Sequence, residues 1–128
     1  MNRATDPTKT RGLPLWPPAP TQALPLRVLE LDRLRIERAL RHRVRYRCVV
    51  PRVVRVLDGW RITSPCCSRN VDSAGGVIDI AWLRADPPHW HLYARDHAHA
   101  VWIEQEHSES LHELLDALCL DPKRVFWP

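Results

Sequence analysis

Three alternating runs near the middle of this chain limit its fold more than any other feature. Val77 to Leu83, His89 to Arg95 and Ala100 to Ile103 read with a period of two, and each carries one tryptophan: Trp82, Trp90 and Trp102. Period two marks a strand with one face buried. In the second run Trp90, Leu92 and Ala94 share one face, and His91, Tyr93 and Arg95 share the other. The links are short: Asp86-Pro87-Pro88, then Asp96-His97-Ala98-His99. A parallel pair needs a long crossover, so links of this length predict an antiparallel meander. At 128 residues the chain is long enough to bury a core around such a sheet without metals or disulfides.

The flanking segments complete the expectation. Residues 1–25 hold six of the twelve prolines and read as a disordered tail. Trp16 would be the anchor if that tail docked as a peptide. Leu26 to Arg41 is rich in helix formers, with Leu29, Ile36 and Leu40 on one face. Val44, Tyr46, Cys48 and Val50 then alternate with Arg43, Arg45 and Arg47, which predicts a strand with a basic outer face. Val53 to Leu57 and Trp60 to Thr63 flank Asp58-Gly59, a pair suited to a type I′ hairpin turn. Residues 64–76 form a long loop containing Cys66 and Cys67. Ser110 with Glu113 makes a capping box for a helix whose stripe is Leu111, Leu114, Leu115 and Leu118, stopped at Asp121-Pro122. The expected fold is α+β. An N-terminal helix, an antiparallel sheet of about five strands and a C-terminal helix packed on the sheet form a single domain over residues 26–128.

The C-terminal half resembles a known family. Trp90-His91-Leu92-Tyr93, Arg95-Asp96, Trp102, a leucine helix, Asp121-Pro122 and Phe126-Trp127 follow one another in the order seen in small bacterial proteins catalogued as domain of unknown function 3024. The chain departs from that pattern in its Asp-His-Ala-His turn, its final Pro128 and its Cys66-Cys67 loop. The resemblance implies the architecture and a bacterial, cytoplasmic setting. It implies no activity and no functional residue.

Composition narrows the function classes. The chain has no apolar run long enough to span a membrane, and its N-terminus lacks the apolar stretch of a secretory signal. A cytoplasmic protein without membrane contact is expected, and its four cysteines should be free thiols. Charge is segregated. Residues 27–55 hold ten arginines against three acids, while residues 96–121 hold seven acids and no lysine or arginine. Arg35, Arg38, Arg45 and Arg47 are the candidates for contacting nucleic acid or an acidic protein partner.

The sequence reads as a binding or interaction module rather than an enzyme, because no nucleophile, base and orienting group fall into a recognisable spacing. The alternative is a metal-dependent or thiol enzyme built on the Cys66-Cys67 loop and the histidine turn. In it Cys66, Cys67, His97 and His99 are the metal set, and zinc is the metal they would take. Adjacent cysteines lack the spacing of structural zinc sites, and surface histidines with two loop thiols explain the same residues. No cofactor is otherwise expected. Asp79, an acid within the apolar run Val77 to Ala81, reads as solvent-facing or as part of a polar network.

Overall fold

The computed structural model describes residues 26–128, and the compact unit they build runs from Asp32 to Pro128. The proline-rich segment 1–25, with Trp16, lies outside the described residues. Helix α1 spans Leu26–Leu40 and is followed by five strands: β1 Arg52–Val56, β2 Gly59–Pro65, β3 Val77–Asp86, β4 His89–Asp96 and β5 Val101–Ser108. Helix α2, Leu111–Leu120, closes the order. The strands form one antiparallel sheet in sequence order, the expected meander. No described helix is long and apolar enough to cross a membrane.

Both helices serve one face of this sheet. Trp60, Ile62, Ile80, Leu83, Leu92 and Ala94 are buried there together with Ile36 and Leu40 of α1 and Leu114, Leu115 and Leu118 of α2. Each fully buried aliphatic side chain contributes roughly 1.5–3 kcal/mol. Arg33 of α1 lies 4.9 Å from the Trp60 ring and donates to the Val53 carbonyl at 2.8 Å. The Cys119 thiol of α2 donates to the Ala39 carbonyl of α1. Burial pushes that thiol's pKa up to about 11.

The β1–β2 hairpin forms, but with a different turn from the one its sequence predicts. Val56 pairs with Gly59, so the two turn residues are Leu57 and Asp58, and neither has the positive φ of a type I′ turn. Gly59 is needed for another reason. A Cβ there would collide with the Leu83 carbonyl oxygen of β3.

The strand expected over Val44 to Val50 does not form; the chain makes turns there. The cause is Arg43, whose side chain is buried rather than outward. Its guanidinium donates to the carbonyls of Leu40 at 2.8 Å, of Tyr46 at 2.7 Å and of Val49. Tyr46 takes a φ of 59°, which breaks an extended chain. Burial, then the charge of Arg47, lowers the Arg43 pKa.

The closing segment is held by one carboxylate. Ser110 caps α2 by accepting from the Glu113 amide, and the Glu113 carboxylate accepts from the Ser108 hydroxyl. At the other end Asp121, in the left-handed region and 2% exposed, accepts from the amides of Val125, Phe126 and Trp127 at 2.7, 3.1 and 2.8 Å. Trp127 Nε1 donates to the Leu118 carbonyl at 2.9 Å. The Asp-Pro…Phe-Trp pattern is therefore a structural clasp.

Candidate functional site

Alternation sends the remaining side chains of β2 to β5 to the face away from both helices. Trp82 and Tyr93 are register partners on β3 and β4, and their rings stack at 4.5 Å with 24° between planes. Trp102 on β5 lies 6.0 Å from Trp82. Three aromatic rings thus form a ladder across three strands. Arginines interleave it: the Arg84 Nε donates to the Tyr93 hydroxyl at 3.2 Å, and the Arg95 guanidinium lies 5.1 Å from the Trp102 ring. These rings are half-buried, and their neighbours include one another and the Arg84 and Arg95 guanidinium groups.

Acids on this face are matched by neighbouring cations or imidazoles. Asp79 sits 3.3 Å from Arg61 Nε, an ion pair without hydrogen-bond alignment, and 3.9 Å from Arg95 Nε. This places it in a polar network, one of the two readings its sequence context allowed. Glu104 on β5 faces His91 Nδ1 at 3.0 Å and His107 Nδ1 at 3.5 Å. The hydrogen bond from His91 holds the Glu104 carboxyl below the usual range. His91 Nε2 lies 3.6 Å from Asp86 Oδ2. Among the described residues, His91, Glu104 and His107 form the group that gathers three ligand atoms within 4.8 Å of one another.

The metal set expected from sequence is arranged otherwise. Cys66 and Cys67 lie in the β2–β3 loop, where the Cys66 thiol bonds the Ser68 carbonyl at 3.0 Å and Cys67 Sγ is 3.6 Å from Cys48 Sγ. Burial, then the Cys48 thiol beside it, raises the Cys67 pKa, the opposite of what an activated nucleophile needs. In the β4–β5 turn, His99 Nδ1 is 2.9 Å from Asp96 Oδ2, and burial, then Arg95, lowers the His97 pKa. Cys66, Cys67, His97 and His99 do not appear together in a metal-type group.

The arginines singled out by charge are divided. Arg35 pairs with Asp32 at 3.1 Å. Arg45 reaches the Pro122 carbonyl at 3.4 Å, and Arg47 donates to the carbonyls of Arg41 at 2.9 Å and Arg43 at 3.0 Å. Arg38 stands exposed in the last turn of α1. Beside Arg41 and Arg43, a cleft of about 240 Å³ opens against Val50 and Val53.

Sequence reasoning missed Glu104 and His107 because the polar stretch Glu104-Gln105-Glu106-His107 shows no apolar alternation. It is nevertheless strand, paired to β4 with a register shift between Leu92 and Tyr93. The available signal was the histidine at position 91, whose outward placement the alternation of β4 already implied.

A five-stranded meander with helices on one face and an aromatic–arginine ladder on the other defines a small α+β domain with an open sheet surface. The chain belongs to the family described as Domain of unknown function (DUF3024), whose pattern matches residues 24–128. No curated protein and no solved structure matches it.

Proposed function

We propose that this domain binds single-stranded nucleic acid on its open sheet face. The observation that carries the reading is the ladder of Trp82, Tyr93 and Trp102 interleaved with Arg84 and Arg95. Stacking on aromatic rings contributes about 1–3 kcal/mol per base and tolerates any sequence, while arginines meet the phosphates. Asp79 and Glu104 have cationic or imidazole neighbours, which limits repulsion of a phosphate backbone. The basic helix α1 lies behind the covered face, so Arg35 and Arg38 supply at most a separate contact. The free thiols fit a reducing bacterial cytoplasm.

The test is tryptophan fluorescence during titration with an unstructured oligonucleotide at several salt concentrations. Quenching with an affinity that falls as salt rises supports the proposal. Trp82→Ala and Trp102→Ala should each weaken binding about 5- to 100-fold while circular dichroism stays unchanged. Absence of binding at low salt, or binding untouched by both substitutions, overturns it.

A further inference from the structure

A second feature of the open face has a chemistry of its own. His91 and His107 are register partners on β4 and β5, and Glu104 pairs with Tyr93. Residues 104 and 107 are three apart, so in a regular strand they would point to opposite faces. The register shift puts both on the side of His91. Bulges of this kind occur often beside functional sites, where they re-aim a side chain. The three side chains also stand on paired strands rather than on a loop, which fixes their spacing.

From this geometry we infer that His91, Glu104 and His107 form a binding site for a divalent transition-metal ion of the zinc type. Two imidazoles and one carboxylate are a donor set that zinc accepts, with water completing an open position. Ligand atoms about 2.0–2.1 Å from one tetrahedral ion lie roughly 3.3 Å apart. The Glu104 oxygen stands 3.0 Å from His91 Nδ1 and 3.5 Å from His107 Nδ1. The far side of His91 fits as well. Its Nε2 lies 3.6 Å from Asp86 Oδ2, so when the ion displaces the Nδ1 proton now donated to Glu104, the remaining ring N–H can stand on Nε2 and face that carboxylate. A carboxylate behind a ligating histidine is a regular companion of such sites. The exposed position of Glu104 and His107 leaves the ion open to water or to an oxyanion. This site does not depend on the nucleic-acid reading: either can hold without the other.

The experiment is calorimetric titration of the full chain with zinc, repeated with cobalt as a spectroscopic probe. One equivalent should bind. Glu104→Gln and His107→Ala should each weaken binding at least about tenfold, with circular dichroism unchanged because both side chains are exposed. A chain with Cys48, Cys66 and Cys67 all changed to serine should bind as well as the parent, and the cobalt spectrum should show no thiolate band. No binding, or binding weakened less than about tenfold in both ligand variants, overturns the inference. A thiolate band together with loss of binding in the serine variant overturns it too, placing the ion at the cysteines instead.

Discussion

The two faces of the sheet carry similar residues and do different things with them. Trp60 on the covered face is 2% exposed, packed among Ile62 and Leu83 and capped by Arg33 from α1. Trp82 on the open face stacks on Tyr93 with arginines around it. On the covered face an arginine seals a tryptophan into the core. On the open face arginines and rings lie side by side, within reach of a ligand. An aromatic count alone cannot tell a core from a platform; what decides is whether another layer covers the face.

The two largest effects should come from the covered side, and one of them from the clasp that ends it. Asp121→Ala removes the acceptor for three backbone amides and leaves them without partners. Loss of about 3–5 kcal/mol is expected in urea denaturation, since charged hydrogen bonds contribute about 1.5–3 kcal/mol each and do not add fully.

The next pair tests the contrast directly. Trp60→Ala should destabilise by about 3–5 kcal/mol, as for a large core side chain. Trp82→Ala should lose only about 1–2 kcal/mol, the worth of an aromatic pair and partial burial. Equal losses would mean that the open face is also core, and the binding proposal would fail with it.

Asp79→Asn should change stability by less than about 1 kcal/mol, because its ion pairs are partly exposed. It should tighten oligonucleotide binding by freeing Arg61 and Arg95. Weaker binding would place the carboxylate, not the arginines, at the contact.

The smallest effect is a pH dependence. His91 and His99 lower the pKa of Glu104 and Asp96, so the unfolded chain binds more protons than the folded one between the lowered and the ordinary carboxylate values. That stabilisation is complete above the ordinary values, near pH 4, and is lost as pH falls through the lowered ones. Both groups are exposed, so the shift in melting temperature should be slight. A melting series in acid checks it, and Glu104→Gln should flatten the curve.

Much of the fold was legible in the chain because short-range rules govern it. The alternation of β3 and β4, the Ser110 cap and the leucine stripe of α2 are local patterns, and each element forms where its pattern lies. The segment around Tyr46 was misleading for a physical reason. Alternation there predicts a strand, but a buried Arg43 collects backbone carbonyls that a strand would have given to a neighbour. The extension of β5 was illegible because an exposed edge strand needs no apolar side chains.

The sequence by itself determined the meander, its helices and the Asp-Pro…Phe-Trp ending, since periodicity, capping and chain breaks act over a few residues. Only the tertiary structure decided which tryptophans are core and which form the ladder, because that depends on where the helices pack. It alone brought His91, Glu104 and His107 together, because cross-strand register and a single bulge set that meeting. The spacing His97-x-His99 pointed to one histidine pair; pairing between β4 and β5 assembled another.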